Sequence, residues 1–214
     1  MAKAKRRRTD GGKPGADLSR RAVDSAMRLA ASKGWGNVTL AGVAADCGVE
    51  LRELYLHYPS RVALLAGFAR RIDAEVLQGG TVDKGAGSAR DRLFEAMMRR
   101  YEALKPFREA ISSIAAAAPR DPLAMLCLAP QLRRSMAWTL EAAGISSAGP
   151  CGLLKAKGLA LVHVAVMRTW FKDDSRDLSK TMAALDRALK CVEPIAGTLF
   201  SGRFPGRRAK SPKE

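Results

Sequence analysis

Histidine, paired cysteine and phosphate-binding glycine patterns are scarce or missing in this sequence. Its 214 residues include two histidines, His57 and His163, and its four cysteines form no CxxC pair. Zinc sites need His and Cys ligands at short, defined spacings, so the sequence offers no such set. It also has neither a glycine-rich phosphate loop nor a nucleophile elbow. We therefore expect no enzymatic activity, no metal and no cofactor.

Long apolar runs are missing as well. The longest, residues 158–167, is interrupted by His163 and is too short to cross a bilayer. The basic N-terminus is followed by the polar stretch 9–17 and not by the apolar segment of a signal peptide. The scattered cysteines are typical of free, mostly buried thiols in a reducing compartment. We therefore expect a soluble cytoplasmic protein with no integral membrane segment.

Acidic residues are few relative to basic ones. The sequence has 37 Lys+Arg against 21 Asp+Glu, a formal net charge of +16. Residues 1–15 carry +5 and residues 201–214 carry +4, which leaves +7 for the rest of the chain. This excess predicts a polyanionic partner, either nucleic acid or an anionic membrane surface. The segments 1–17 and 202–214 are predicted to be a disordered basic arm and a basic tail. The arm either lies in a DNA minor groove or only adds solubility.

Helical periodicity continues through the rest of the chain, and no segment shows the alternation of a strand. We therefore predict an all-α fold, with one domain at 18–78, a glycine-rich connection, and a second domain at 88–201. The predicted helices cover residues 18–33, 40–47, 50–56, 61–78, 89–104, 107–118, 123–143, 151–171 and 178–199. Pro130 is expected to kink or split the seventh of them.

The stretch 38–65 contains the strongest local signals. Thr39 is a predicted N-cap, and Gly48 ends the short helix that follows because glycine adopts a positive φ readily. Pro59 stops a second short helix, and Ser60 caps the next one. Two short helices joined by a glycine turn predict a helix-turn-helix, the unit that places its second helix in the DNA major groove. A plain helical hairpin has the same spacing.

Together with the helix before it, this stretch resembles the N-terminal DNA-binding domain of the tetracycline-repressor (TetR) family of bacterial regulators. The likeness rests on Thr39, Val43, Ala44, Gly48, Val49, Leu54, Tyr55, His57, Tyr58, Pro59, Ser60, Arg61, Leu64 and Leu65. By this resemblance Thr39, Tyr55, His57 and Arg61 contact the DNA backbone. Arg20 and Arg21 are predicted to add phosphate contacts. We also place Glu50, Leu51 and Arg52 at the DNA, with Arg52 as the side chain suited to bidentate contact with guanine.

The predicted recognition helix departs from the family pattern. Glu50 and Glu53 stand where small or hydroxylic residues are usual, and Leu51 and Leu56 stand where polar or basic ones are common. Phosphates repel a carboxylate in the groove, although it accepts a hydrogen bond from cytosine N4. Glu50 alternatively caps the helix, since negative charge is favoured at a helix N-terminus.

The C-terminal third also resembles the family, through Trp170-Phe171, a charged turn and a long amphipathic helix. In that family the corresponding helix pair forms a four-helix bundle with its two-fold mate, which implies a homodimer. The predicted seam comprises Leu161, Val164, Ala165, Arg168, Leu185, Ala188 and Leu189. The same apolar residues also suit an ordinary core. A turn containing Asp173, Asp174 and Asp177 is predicted to be solvated.

A cavity for a small hydrophobic ligand is expected among the helices of the second domain, since ligand sites in bundles form between facing helices. The residues predicted to line it are Met97, Met98, Tyr101, Phe107, Met125, Met136, Trp138, Val162 and Met167. Each of these also suits a plain core position. His163 is predicted to be a satisfied core or interface histidine.

We expect a repressor whose affinity for a two-fold DNA site changes when ligand binds. The alternative comes from a likeness of residues 167–189 to the accessory proteins of ubiquinone biosynthesis. These share the fold, hold an isoprenoid lipid and do not read DNA. On that alternative the partner is a lipid, and the basic surface meets anionic head groups.

Overall fold

The computed structural model describes residues 14–80 and 87–200, without the side chains at 14, 16 and 193–200. These ranges contain α-helices and short 3₁₀ turns and no strand, as the all-α prediction requires. The helices are α1 (Pro14–Lys33), α2 (Leu40–Cys47), α3 (Leu51–His57), α4 (Arg61–Gln78), α5 (Ala89–Leu104), α6 (Arg108–Ala117), α7 (Pro122–Ala142), α8 (Gly149–Trp170) and α9 (Ser179–Phe200).

The chain divides into two compact units. The first unit comprises Met1–Phe68 and Glu109–Ala124, and the second comprises Ala69–Arg108 and Met125–Glu214. A segment from beyond the middle of the chain therefore belongs to the N-terminal unit, and α4 contributes to both units. The domain boundaries proposed above at 18–78 and 88–201 stay a prediction.

Local signals in the sequence determine the helix boundaries of the first unit. Thr39 caps α2, with its hydroxyl accepting a hydrogen bond from the Gly42 backbone N–H at 3.0 Å. Gly48 ends that helix in the left-handed region, at φ 66°. The Ser60 hydroxyl accepts from the Ala63 N–H at the start of α4. These predicted caps are confirmed, and with them the turn that separates α2 from α3.

The core of the first unit holds α3 against α1 and α2. Leu54 of α3 and Val43 of α2 are fully buried, and Trp35, in the short turn after α1, is buried as well. The Trp35 backbone N–H donates to the Ser113 hydroxyl at 2.6 Å, which ties the 109–124 segment to this core. The Tyr58 hydroxyl donates to the Ser19 carbonyl at 3.3 Å, so the end of α3 is anchored to α1. The buried Leu54 and the Tyr58 hydrogen bond together fix the position of α3 on α1 and α2.

In the second unit α8 packs along α9, and α5 also packs against α9. Its core includes Met97, Tyr101, Met136, Leu185 and Trp170, all fully buried. The core also contains charge, because Asp73, Arg100 and Ser135 from α4, α5 and α7 lie buried together. The Arg100 guanidinium donates to Asp73 at 2.7 Å and to the Ser135 hydroxyl at 2.6 Å. Ser135 in turn donates to Asp73.

The predicted start of α1 and the predicted split of α7 at Pro130 need correction. Helix α1 begins at Pro14, inside the predicted disordered arm, and its first turn carries an ion pair between Asp17 and Arg21 at 3.2 Å. The rest of that arm and the basic tail 202–214 lie outside the described residues. Pro130 lies within α7, which continues through it, so the predicted split is not seen and the predicted kink stays a prediction.

The predicted solvated turn between α8 and α9 is wrong for Asp173, which is completely buried. Its carboxylate accepts from Ser175 and from both the backbone and the hydroxyl of Thr181, and it thereby caps the start of α9. Burial alone would raise the pKa of Asp173, but these hydrogen bonds prevail and lower it to about 2. Spacing in the sequence does not distinguish such a cap from exposed neighbours such as Asp174.

The four cysteines are free, as predicted, but they are not mostly buried. Cys127 and Cys191 are exposed, and Cys47 and Cys151 are half-buried. Within the described residues, α8 is the one helix that is long and apolar enough to cross a membrane, with a mean hydropathy of 1.3. That finding rests on length and composition alone, and core helices of soluble proteins meet the same criterion.

Candidate nucleic-acid interface

The outward face of α3 follows from the position of its one fully buried side chain, Leu54. At about 100° of rotation per residue, Arg52 and Leu56 lie about 160° and 200° away from Leu54. Tyr55 and Glu53 flank them at about 100° on either side. Arg52 and Leu56 are therefore at the centre of the surface that α3 offers to solvent.

Exposure agrees with this geometry. Leu56 is 74% exposed and Tyr55 is 60% exposed, and Arg52 and Glu53 are also exposed. Within the described part of the chain, neither the Arg52 side chain nor the Glu53 side chain makes a hydrogen bond or an ion pair. Large apolar side chains on a rigid helix, next to an unpaired guanidinium, are available for an outside partner.

The acidic residues of α3 differ in position. Glu50 occupies the N-cap position, but its side chain makes no capping hydrogen bond, so the predicted capping role is not seen. Glu53 lies in the first turn. Leu51 is 51% exposed and lies on the side of α3 nearer Leu54, away from the centre of the outward face.

The other predicted DNA contacts lie at the edges of the first unit. Arg20 and Arg21 are exposed on α1, although Arg21 is held by Asp17 and reaches the Cys47 carbonyl at 3.5 Å. His57 is exposed at the end of α3, with its Nδ1 3.4 Å from the Ser19 hydroxyl. Thr39 is exposed, but its hydroxyl already serves as the α2 cap. Of these residues, Arg21, Thr39 and His57 have contacts within the unit, and their role at DNA stays a prediction.

Arg61 is half-buried and contacts residues of its own unit. Its guanidinium donates to the carbonyls of Trp35 and Val38 at 3.2 and 3.1 Å, and its carbon lies 5.5 Å from the centre of the Trp35 ring. A second nitrogen is 3.9 Å from the Asp121 carboxylate. Arg61 therefore supports the turn before α2, a role that its place in the motif did not indicate.

The charge of the first unit is balanced where it is described. Its ranges 14–68 and 109–124 contain seven basic and seven acidic residues. The basic ones are Arg20, Arg21, Arg28, Lys33, Arg52, Arg61 and Arg120, and the acidic ones are Asp17, Asp24, Asp46, Glu50, Glu53, Glu109 and Asp121. Arg28 also pairs with Asp46. The excess positive charge of the N-terminal part of the sequence therefore resides in residues 1–13, which lie outside the described residues.

The predicted ligand-lining residues differ in their exposure, and their role stays a prediction. Met97, Tyr101 and Met136 are fully buried, and Met98 and Val162 are nearly so, whereas Trp138 is 46% exposed on α7. Phe107, Met125 and Met167 are half-buried. A groove of about 400 Å³ lies elsewhere, between α5 and α9, and includes none of these residues. It is lined by Arg90, Asp91, Phe94, Met182, Ala183 and Asp186.

His163 has the structural role predicted for it. It is buried on α8, with its Nδ1 3.2 Å from the Tyr101 hydroxyl and its ring stacked on the Tyr101 ring at 5.4 Å. Burial, aided by the Arg100 charge, lowers the pKa of His163 to about 3, so the ring is neutral near pH 7. Among the described residues, no cluster of three or more His, Cys, Asp or Glu side chains is arranged to hold a metal ion.

The predicted dimer seam divides into exposed and buried halves. On α8, Leu161 is 74% exposed and Val164 is 48% exposed, and Ala165 and Arg168 are exposed beside them. On α9, Leu185 and Leu189 are buried within their own unit and Ala188 is half-buried. Leu185 and Leu189 are therefore corrected to core positions, because α9 uses that face to pack on its neighbours.

Comparisons with known proteins agree with the helix-turn-helix geometry. Residues 22–67 match the family model of bacterial regulatory proteins, tetR family. No curated protein matches the chain.

The chain is similar in fold to solved TetR transcriptional regulators. One is from Nitrosomonas europaea, with 22% identity, a TM-score of 0.66, and coverage of 82% of this chain and 97% of that one. Another is from Rhodococcus sp. RHA1, with 19% identity, a TM-score of 0.59, and coverage of 84% and 97%. A putative TetR-family regulator from Mesorhizobium loti has 15% identity, a TM-score of 0.55, and coverage of 86% and 98%.

The matched segment contains α2, α3 and most of α1, which together form the helix-turn-helix unit. The likeness to the ubiquinone accessory proteins receives no support from these matches. Residues 22–67 thus belong to the N-terminal domain of the TetR family of bacterial regulatory proteins, and the described chain has the TetR-like fold of a helix-turn-helix domain followed by a helical domain.

Proposed function

We propose that this protein is a DNA-binding transcriptional regulator that reads a two-fold site with α3. The observation that carries the proposal is the outward face of α3, where Arg52 and Leu56 are exposed at the centre of a rigid helix-turn-helix. An Arg side chain in the major groove is suited to guanine O6 and N7. Nothing in the arrangement calls for catalysis, and we propose no enzymatic activity.

Phosphate attraction comes, on this proposal, mainly from the basic N-terminal segment. The described part of the first unit has no net charge, whereas residues 1–13 hold six basic residues and one acidic one. Sequence-independent affinity for DNA grows with the number of phosphates that Lys and Arg neutralise. We therefore propose that residues 1–13 and Arg20 supply the sequence-independent affinity for DNA and that α3 selects the bases.

We further propose that the protein acts as a homodimer in the cytoplasm. A two-fold operator requires two α3 helices related by the same symmetry. The exposed α8 stripe that includes Leu161 and Val164 is the surface we assign to the contact. Large apolar side chains left in solvent on α8 are stabilised when a second copy covers them.

The finer parts of the mechanism are a repressor action and its release by a small apolar ligand in the second unit. The methionine-rich core of that unit supports the ligand proposal, because methionine adapts its shape to irregular apolar groups. A ligand acts on DNA binding only through different affinities for two arrangements of the dimer. The accessory-protein alternative is not favoured, since the matched family segment is the DNA-binding one.

Binding to genomic DNA fragments across a salt series, with competitor DNA present, tests the proposal. We expect a subset of fragments to be retained above the competitor and to show a two-fold footprint. A variant lacking residues 1–13 should show a shallower salt dependence with the same footprint. Uniform binding of all fragments, with common release as salt rises, would contradict base-specific reading.

A further inference from the structure

Leu56 is the most exposed large apolar residue of α3, and it lies with Arg52 at the centre of the outward face of that helix. We infer that this pair reads a guanine and a thymine about two base steps apart in each half-site, with Leu56 recognising the thymine C5-methyl group. The inference rests on the proposed function and specifies which bases the recognition helix selects.

The spacing follows from helix and DNA geometry. Arg52 and Leu56 are four residues apart, so their attachment points are separated by about 6 Å along α3. Successive base pairs are separated by about 3.4 Å along the duplex axis. A helix lying along the groove therefore brings these two side chains to base pairs about two steps apart.

The chemistry selects the bases. Arg forms its paired hydrogen bonds with O6 and N7 of guanine, and no other described side chain on this face carries a guanidinium. Leucine has no donor or acceptor, and the one apolar group on a base edge in the major groove is the thymine methyl. Replacing thymine by cytosine removes that methyl group and presents the N4 donor, from which Leu56 cannot accept a hydrogen bond.

Neighbouring side chains on α3 are less suited to the methyl. Leu51 is turned toward the side of Leu54, and Tyr55 lies at the flank about 100° away from Leu56. Glu53 flanks the opposite side, and its carboxylate accepts only from a donor such as cytosine N4. Leu56 is therefore the residue whose substitution should change thymine preference while the rest of the face stays intact.

The occupant of this apolar spot is duplex DNA and not a protein partner. The strongest argument is charge, because the spot adjoins the unpaired Arg52 in a chain of net charge +16 whose arm contributes six basic residues. A protein partner for exposed leucines is an outcome that the following experiment detects, because it would leave DNA affinity independent of Leu56.

The experiment uses a duplex enriched by the full-length protein from a random pool. Each thymine in the enriched site is replaced in turn by deoxyuridine, which removes only the C5-methyl group. We expect one replacement per half-site to weaken wild-type binding about fourfold, the effect of burying one methyl group. Replacing a guanine about two steps away by 7-deazaguanine, which lacks N7, should also weaken binding.

Matched variants assign the effect to its residue. Leu56→Ala should bind the thymine and deoxyuridine duplexes equally, whereas Leu126→Ala, a leucine 70% exposed on α7, should retain the wild-type discrimination. Wild-type affinities that agree within twofold for every deoxyuridine duplex would overturn the inference and leave the proposed function standing. A deoxyuridine penalty that persists in Leu56→Ala would also overturn it. Failure to enrich any sequence would instead remove the proposed function itself.

Discussion

Of the described residues that are both buried and polar or charged, Ser25 alone lies in the first unit, whereas seven lie in the second. Those seven are Asp73, Arg100, Ser135, Thr139, His163, Asp173 and Thr181. The first unit has an apolar interior and presents Arg52 and Leu56 to solvent. The comparison shows that the second unit joins its helices through fully buried polar and charged side chains, whereas the interior of the first unit is almost entirely apolar and its polar contacts lie nearer the surface.

Separating Arg100 from Asp73 should have the largest effect. Arg100→Met leaves the Asp73 carboxylate buried without its cation, and breaking such a pair typically costs about 3–5 kcal/mol. Urea unfolding of the full-length protein measures the loss. The double variant Asp73→Leu with Arg100→Met should recover most of the stability, because two apolar side chains leave no buried charge. A loss below about 1 kcal/mol in the single variant would contradict a structural role for the pair.

Variants at two leucines of α3 should distinguish residues that stabilise the first unit from residues that bind DNA. Leu54→Ala should lower the free energy of unfolding by about 2–5 kcal/mol, because Leu54 is fully buried. Leu56→Ala should change it by less than about 0.5 kcal/mol, because Leu56 is largely solvated, while DNA affinity falls. Thermal or urea unfolding measures the stability of both variants, and a DNA titration measures their affinity. Equal stability losses in the two variants would mean that the outward face is not free.

The buried histidine of the second unit should make stability depend on pH. The folded pKa of His163 is about 3, below its ordinary 6.5, so below pH 6.5 only the unfolded chain gains the proton. Stability that is fully present above pH 6.5 is then lost as pH falls toward 3, by up to about 1.4 kcal/mol per pH unit.

The variant His163→Gln retains a hydrogen-bonding side chain toward the Tyr101 hydroxyl and cannot titrate. Its unfolding midpoint in urea should fall less steeply than that of wild type between pH 6.5 and 5. Asp173 does not contribute in this window, because its folded and unfolded pKa values both lie below it. Parallel pH profiles for the two proteins would show that His163 is not responsible.

Substituting Arg61 tests whether this half-buried basic residue stabilises the helix-turn-helix. Arg61→Ala removes two hydrogen bonds to the carbonyls of Trp35 and Val38, and it should cost about 1–2 kcal/mol of stability. Arg20→Ala, on the exposed surface of α1, is the control and should leave the unfolding midpoint unchanged. If Arg61→Ala weakened DNA binding with no change in unfolding, its role would lie at the phosphates instead.

How well the sequence predicted a structural feature depends on whether the residues that form it are close together in the chain. The Thr39 cap, the left-handed Gly48, the Ser60 cap and the boundaries of α4 and α5 all depend on residues a few positions apart, and the sequence predicted each of them. The outward orientation of Leu56 also follows from its spacing to the apolar Leu54. Local chemistry is enough to predict these features without knowledge of the tertiary contacts.

The features that sequence reasoning missed depend on residues far apart in the chain. Arg100 and Asp73 are 27 residues apart, and Asp73 and Ser135 are 62 apart. Trp35 and Ser113 are 78 apart, and their hydrogen bond brings a later segment into the first unit. Helical periodicity marks which residues are buried but not which polar groups meet. The same limit applies to Leu185 and Leu189, because their apolar spacing suits a dimer seam and an ordinary core equally.

The most direct test of the central claim is the affinity of wild type and Arg52→Ala for two duplexes of equal length at one salt concentration. One duplex contains the enriched site and the other an unrelated sequence. The account predicts that Arg52→Ala loses about 1–3 kcal/mol of preference for the enriched site, while its unfolding free energy is nearly unchanged. Undiminished preference in that variant would contradict the claim that the outward face of α3 reads DNA.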